Sequence, residues 1–220
     1  MDQNVLKMLK EKDYEEAAQL LAKNIEENPS DPVSFINFGN LLAFMKDWQR
    51  ARRFFEKAIA LDDQAATAYY GLGNVYYEQS HYHRAQAQFQ KAIQYGLEEG
   101  DAYFMLGMSL INQGYDKLAL PYFMRAAELD PDDENIMFQY ALTLAKNNQI
   151  DDAEKIFQTV VKKNPNHSDA HYNLGVIASF YSHYDEALHH FEEALRIQPD
   201  HMLAADGKRK IKAYTKKDKA

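Results

Sequence analysis

Apolar side chains along this chain recur at a helical period. Residues 66–99 illustrate the arrangement, because their first apolar face has the i, i+3, i+4, i+7 spacing of one side of a helix. That face consists of Tyr69, Leu72, Gly73 and Tyr76. A polar stretch around Ser80 interrupts the pattern, and a second helical pattern then continues to Ile93. The segment therefore predicts a helix–turn–helix hairpin.

An alanine repeats every 34 residues without insertion or deletion. Its positions are Ala17, Ala51, Ala85, Ala119, Ala153 and Ala187. A fixed period of this length is typical of stacked repeats that share one continuous core. The 220 residues are therefore expected to form one elongated all-α domain.

Other positions of the repeat also keep their character. A small residue recurs in the first helix, and we expect the repeated alanine of the second helix to face it, since glycine within a helix implies close packing. These first-helix residues are Val5, Gly39, Gly73, Gly107, Ala141 and Gly175. Four residues after each alanine lies a large apolar residue, namely Leu21, Phe55, Phe89, Phe123, Phe157 or Phe191. Prolines follow the second helix in four units, at Pro29, Pro131, Pro165 and Pro199.

Composition narrows the possible functions. The chain has no cysteine, which excludes disulfides, thiolate zinc sites and thiol nucleophiles. No apolar run reaches signal-peptide or membrane-span length, so a cytoplasmic location and no membrane contact are expected. The formal net charge is −8 although residues 206–220 hold seven basic residues against two acids. The remainder is therefore strongly acidic, and nucleic acid binding along it is not expected.

These spacings resemble the tetratricopeptide repeat (TPR) family, whose signature places an aromatic residue, Leu-Gly, Tyr, Ala, Phe, Ala and Pro at corresponding positions. The resemblance covers residues 1–201 in six repeats: 1–31, 32–65, 66–99, 100–133, 134–167 and 168–201. It implies a right-handed superhelical solenoid of helix–turn–helix hairpins. Segments such as AATAYYGLGNVY and IQPDHMLA also resemble YrrB-type small TPR proteins of Gram-positive bacteria. Residues 202–214 are expected to form a capping helix, and 215–220 a basic flexible tail.

In the TPR family the first helices line a concave groove, and the resemblance assigns positions 2, 5, 6, 9, 12 and 13 of each repeat to it. The candidate peptide-binding residues are Ile36, Asn37, Asn40, Tyr70, Asn74, Asp101, Phe104, Met105, Met108, Phe138, Gln139, Asp169, Tyr172 and Asn173. Amide side chains can pair with the peptide groups of an extended ligand, and aromatic rings supply contact area. Packing positions are already filled by other residues, so we expect the aromatic stripe at position 5 to serve binding. The alternative is that these rings only pack between hairpins.

The groove is neutral to acidic, which favours a peptide with apolar and possibly basic residues. The two-carboxylate clamp of chaperone-binding TPR proteins is missing. It requires lysine or arginine at three positions where this chain has, for example, Tyr70, Asn135 and Gln139. The predicted function is thus a non-catalytic adaptor or scaffold. The YrrB-type resemblance also makes cysteine desulfurase and tRNA-thiolation enzymes plausible partners.

Candidate chemistry beyond this is sparse. His167 and His171 lie at i, i+4, but no further ligand completes a metal site at helical spacing, so neither a metal nor another cofactor is expected. His189 and His190 are expected to be solvated on the outer helix. Recurrent acid pairs such as Asp132–Asp133 and Asp151–Asp152 are interpreted as helix caps and solubilising charge. No phosphate-binding loop or nucleophile elbow is present, and the chain is not expected to be an enzyme.

The basic C-terminal segment has two interpretations. Its cations complement the dipole of a helix C-terminus, or they contact an acidic surface, including that of another copy. The second interpretation gives an alternative function: a self-assembling structural solenoid with weak self-association through this tail.

Overall fold

The computed structural model describes residues 3–217, and within that range the regular structure consists of thirteen α-helices and no strand. The helices are α1 Gln3–Glu11, α2 Tyr14–Glu27, α3 Pro32–Phe44, α4 Trp48–Leu61, α5 Ala66–Glu78, α6 Tyr82–Gln94, α7 Gly100–Ile111, α8 Asp116–Leu129, α9 Glu134–Lys146, α10 Ile150–Lys163, α11 Ser168–Phe180, α12 Tyr184–Ile197 and α13 Met202–Lys217. They form six successive helix–turn–helix pairs followed by a single helix. The all-α hairpin repeat predicted from the sequence is confirmed.

The chain divides into two compact units, unit 1 up to Tyr122 and unit 2 from Phe123 onward. The division lies inside α8, between Tyr122 and Phe123 and one residue after the helix-interior Pro121. In unit 1, α3 contacts α5 and α5 contacts α7, so the first helices of successive pairs are neighbours. In unit 2, α11 likewise contacts α13.

The turn inside every hairpin has the same backbone geometry. One residue of each turn has φ between 58° and 81°, and these residues are spaced by 34: Lys12, Lys46, Ser80, Gly114, Asn148 and Ser182. Around Ser80, its amide donates to Tyr77 O at 2.8 Å and the next amide donates to Tyr76 O at 2.9 Å. This pair of bonds is the Schellman arrangement that satisfies the last carbonyls of a helix. The polar break in the sequence pattern is therefore a helix C-cap.

The recurring alanines and large apolar residues form the core, as expected. All six alanines are fully buried, and the phenylalanines at the repeated position are at most 2% exposed. Among the small first-helix residues, Gly39, Gly73 and Gly175 lie close to the repeated phenylalanine of the same hairpin. A Cβ at these residues would lie 2.6–2.8 Å from ring carbons of that phenylalanine. The ring therefore leaves little room for a larger residue at these three positions. That the repeated alanine also faces them stays a prediction.

Aspartate side chains cap several helices, and of the two acid pairs named above only Asp132–Asp133 supplies such a cap. The Asp31 carboxylate accepts hydrogen bonds from the amides of Val33 and Ser34, at 3.1 and 3.0 Å, and from the Ser34 hydroxyl at 2.7 Å. Asp133 accepts from the Ile136 amide at 3.0 Å. These contacts satisfy amides that have no partner inside the helix.

The C-terminal helix is longer than predicted. It was expected over 202–214, but α13 extends to Lys217, so 215–217 are helical rather than a flexible tail. Thr215 Oγ1 donates to Ile211 O at 3.1 Å, and the side chain thereby stays within the helical turn. Residues 218–220 of the predicted tail lie outside the described residues.

Candidate peptide-binding surfaces

The predicted residues of unit 1 lie on the three neighbouring helices α3, α5 and α7, and we call this set the unit 1 surface. It comprises Ile36, Asn37, Asn40, Tyr70, Asn74, Asp101, Phe104, Met105 and Met108. Ile36 is only 8% exposed and belongs to the core cluster around Phe55, so it offers almost no contact area. Asp101 is exposed, and the other members are half-buried. Half-burial holds these side chains in place while leaving their outer atoms accessible.

Tyr70 shows that the aromatic stripe also packs. Its ring centroid lies 5.7 Å from that of Phe89. The Tyr70 hydroxyl is hydrogen-bonded to the Asn74 side chain one turn later, and burial raises the pKa of Tyr70. The hydroxyl is therefore neutral and oriented, and the Asn74 amide is held in a defined position beside it.

Tyr77 and Asn112 of unit 1 join this arrangement, although they were not among the predicted residues. Asn112 Nδ2 donates to the Tyr77 hydroxyl at 3.0 Å, connecting α7 to α5, and also to Met108 O at 2.9 Å. Burial raises the pKa of Tyr77 as well. The two residues occupy repeat positions 12 and 13, which the family resemblance assigns to the groove. A hydroxyl and an amide at those two groove positions could have identified both residues from the sequence.

The predicted residues of unit 2 lie on α9 and α11, and we call Phe138, Gln139, Asp169, Tyr172 and Asn173 the unit 2 surface. Asp169 is exposed, and the other four are half-buried. Asn173 Nδ2 donates to the backbone oxygen of Asp169 at 2.7 Å, so one amide donor is already engaged.

Each aromatic ring of this surface packs against two other rings. The Phe138 centroid lies 5.7 Å from that of Phe157 and 4.5 Å from that of His167. The Tyr172 centroid lies 6.0 Å from that of Phe191, and its other neighbour is a second histidine. Position 5 is therefore a packing position whose rings Phe138 and Tyr172 stay partly exposed. The role of the stripe in binding stays a prediction.

The second histidine is His201, which is 34 residues after His167 and has an equivalent role. Its ring centroid lies 5.1 Å from that of Tyr172. His201 Nδ1 accepts from the Ala204 amide at 3.2 Å and so caps α13, while Nε2 lies 3.1 Å from Asp169 Oδ1. Because Nδ1 is an acceptor, the neutral ring carries its proton on Nε2 and donates to the carboxylate. His167 repeats the cap, with Nδ1 accepting from the Ala170 amide at 3.2 Å.

One histidine interpretation changes. His171 Nδ1 lies 3.2 Å from Nδ1 of His190, and His171 Nε2 lies 3.2 Å from Pro165 O. His190 was expected to be solvated, but it is half-buried, and burial followed by the charge of His171 lowers its pKa to about 4. The i, i+4 spacing alone missed this contact because the partner comes from the second helix. No group of three metal-ligating side chains occurs among residues 3–217.

Exposed apolar side chains extend both surfaces beyond the predicted sets. On α3 these are Val33 and Phe44, 55% and 58% exposed, and on α11 Val176 and Phe180, 41% and 68% exposed. They occupy repeat positions 2, 9 and 13. Within the described helices, none is long and apolar enough to cross a membrane.

The sequence of these helical hairpins matches known family profiles. Sequence profiles described as tetratricopeptide repeat match residues 72–134, 117–175 and 168–201, and one described as TPR repeat matches residues 39–80. No curated protein sequence matches the chain.

Several solved structures are similar in fold. YrrB, described as a TPR protein with an unusual peptide-binding site, is 43% identical with a TM-score of 0.82, over 87% of this chain and 99% of that chain. Pseudomonas aeruginosa pilF is 20% identical with a TM-score of 0.81, over 94% and 95% of the two chains. MamA is 18% identical with a TM-score of 0.69, over 76% and 92%.

Proposed function

The chain belongs to the tetratricopeptide repeat family, and from that membership we propose that it is a non-catalytic adaptor that binds an extended segment of a partner protein. The proposal rests on one feature above all, the amides and half-buried aromatic and methionine side chains along α3, α5 and α7. The similarity to YrrB supports it, because that protein is described as having a peptide-binding site.

Asn40 and Asn74 occupy the same repeat position on the adjacent helices α3 and α5. Packed helices lie about 8–10 Å apart, and an extended chain advances about 3.3 Å per residue. An extended ligand that crosses both helices would therefore need about three residues to pass from Asn40 to Asn74. Two of its peptide groups, about three residues apart, would face the two amides. Each amide offers a donor and an acceptor, which matches the peptide group.

The ligand is proposed to be apolar with basic residues. Tyr70, Met105 and Met108 supply adaptable apolar contact area beside the amides. Asp101 is exposed on the same surface and favours a nearby lysine or arginine in the ligand. Asp169 is exposed on the unit 2 surface and contacts His201.

Self-assembly through the basic segment has weaker support than the adaptor. Lys208 and Lys212 contact Glu192 at 3.1 and 3.7 Å, and Lys210 contacts Asp206 at 2.7 Å. These cations are directed in part to acids of their own unit, which reduces the attraction available for a second copy. Light scattering over a range of concentrations distinguishes the two functions, because only self-assembly gives a mass that rises without another protein.

A selection from a random linear peptide library against the full chain tests the adaptor proposal. Selected peptides should be rich in apolar and basic residues and should bind Asn40→Ala/Asn74→Ala at least tenfold more weakly, since both amide contacts are lost. Asn166→Ala is the matched control, because this exposed asparagine lies outside both surfaces. Unchanged affinity in the double variant, with unchanged helicity, would contradict the proposal.

A further inference from the structure

The last helix, α13, keeps half of the pattern of a first helix. Ala204 and Ile211 are buried, and a Cβ at Gly207 would lie 2.7 Å from Phe191 Cζ. These residues are in the 34-residue register of Ala170, Asn173 and Ile177 on α11. The side of α13 that packs on the preceding hairpin is therefore built as in the repeats.

The other half of the pattern is replaced by cations. In the repeats, the side of the first helix facing its own second helix is closely packed: Tyr69 is 5% exposed and stacks on Tyr95 at the end of α6, and Gly73 lies against Phe89 of α6. The equivalent residues on α13 are the exposed Ala205 and Arg209, and Lys212 occupies the position of Tyr76, whose ring lies beside Arg84 of α6. We call this side the α13 stripe: Ala205, Lys208, Arg209, Lys212, Ala213 and Lys216.

The stripe is open and shaped for a helix. Its six residues line a shallow groove of about 490 Å³, and except for the half-buried Lys208 they are exposed. Ala205 and Ala213 are its two small side chains, and we call them the alanine floor. Small side chains allow two helices to approach closely. No helix covers this side within residues 3–217.

The charge of the stripe is only partly neutralised. Lys208 and Lys212 share the single carboxylate of Glu192. Arg209 and Lys210 likewise share Asp206. Cations therefore exceed the nearby acids, and the stripe favours a partner that brings carboxylates.

We propose that the α13 stripe docks an acidic amphipathic helix of a partner protein, in the place that a second helix occupies in each repeat. Small residues of that helix would lie on Ala205 and Ala213, and its flanking carboxylates would contact Arg209, Lys212 and Lys216. This face is separate from the unit 1 and unit 2 surfaces and does not depend on the proposed peptide binding. A helix fits better than a nucleic acid, because the alanine floor requires close packing as well as charge.

The probe is a synthetic peptide with the sequence of α12, Tyr184–Ile197, an acidic helix that already packs on a first helix of this chain. A hydrocarbon staple on its outward side keeps it helical, since isolated helices of this length are marginal in water. The control peptide has its Asp and Glu residues replaced by Asn and Gln. Binding to the full chain is measured by fluorescence anisotropy.

Two variants of the stripe separate charge from shape. Lys212→Glu/Lys216→Glu should weaken binding of the acidic peptide at least tenfold relative to Lys117→Glu/Lys162→Glu, which makes the same charge change at exposed residues elsewhere. Ala213→Trp fills the floor at constant charge and should also weaken binding at least tenfold. Circular dichroism of each variant verifies that the helices remain folded.

Equal binding of the acidic and amide peptides, or unchanged binding in either stripe variant, would overturn the proposal. Phosphatidylserine vesicles and single-stranded RNA are tested in parallel. Binding of either that is lost in the charge variant but unaffected by Ala213→Trp, without peptide binding, would identify a polyanion surface and overturn it as well.

Discussion

A methyl group added at Gly71 should destabilise unit 1 even though alanine is the better helix former. Gly71 lies on α5 against the ring of Phe55 from the preceding hairpin. A Cβ there would lie 2.4 Å from Cε1 and 2.5 Å from Cζ of that ring. Carbon atoms in contact normally lie about 3.5–4.0 Å apart, so the overlap is roughly 1 Å.

The ring has little freedom to move away. Phe55 is fully buried, and on its other side a Cβ at Gly39 would lie 2.8 Å from the same Cε1 atom. Replacing glycine by alanine inside a helix gains about 0.5–1 kcal/mol, whereas overpacking a filled core typically costs about 1–3 kcal/mol. The overlap with a confined ring places Gly71→Ala toward the upper end of that range. We therefore expect a net loss of about 1–2 kcal/mol.

Urea unfolding followed by circular dichroism measures the free energy of unfolding, and amide hydrogen exchange in α4 and α5 localises the change. Thr67→Ala is the control, because Thr67 is exposed on the same helix and loses no buried contact. Phe55→Leu should cost less in the Gly71→Ala background than alone, since the smaller side chain relieves the overlap. If Gly71→Ala is as stable as the control, or if the two substitutions are additive, the ring contact does not determine the choice of glycine.

The remaining predictions concern the turns, the buried histidines and a cap. Ser80→Gly should raise the free energy of unfolding by about 0.5–1 kcal/mol, and Gly114→Ser should lower it by a similar amount. Both residues have positive φ, which only glycine adopts without strain. Urea titrations of the two variants measure these changes. Burial lowers the pKa of His190 below its ordinary value of 6.5 to about 4, so its neutral form stabilises the fold above about pH 6.5 and that contribution is lost as pH falls toward 4. His190→Phe should make the amide hydrogen exchange of α12 less dependent on pH between about 6.5 and 4. An unchanged pH dependence would mean that His171 or another group causes it. Asp31→Ala should destabilise α3 by about 1 kcal/mol through loss of its cap, seen as faster amide exchange at the start of that helix.

The sequence predicted the helical hairpins and the core, because a 34-residue period repeats the same packing contact and needs no knowledge of the tertiary structure. Ala85 and Phe89 are buried for that reason. The turn geometry was missed, since Lys46 and Ser182 carry no sign of positive φ and only Gly114 does. Their conformation comes from the Schellman bonds of the finished helix, which override the local preference of the residue.

The sequence predicted which helices carry the candidate residues, but not the contacts that these residues make. Register placed Asn40, Asn74 and Tyr70 on neighbouring first helices, and the structure places them there. Register could not indicate that His201 packs on Tyr172, because that contact joins the residue before α13 to the surface of α11. The His171–His190 contact was missed for a similar reason, since it joins the two helices of one hairpin. Contacts between helices depend on the crossing geometry, which the sequence pattern does not specify.

The packing role of repeat position 5 determines how binding experiments on this chain are interpreted. Tyr70, Phe138 and Tyr172 each pack against the buried phenylalanine of their own hairpin, with centroids 5.7, 5.7 and 6.0 Å apart. Truncating such a ring removes core contacts along with any ligand contact, so lost binding in that variant does not identify the interface. The same packing keeps the rings rigid, and a ligand that binds them loses little free energy to their ordering. The amides come closer to separating the two effects, because Asn40 and Asn74 are half-buried on the surface and Asn74 is hydrogen-bonded to the hydroxyl of Tyr70. Substitution of these amides, with stability measured in parallel, is therefore the decisive test of the proposed surface.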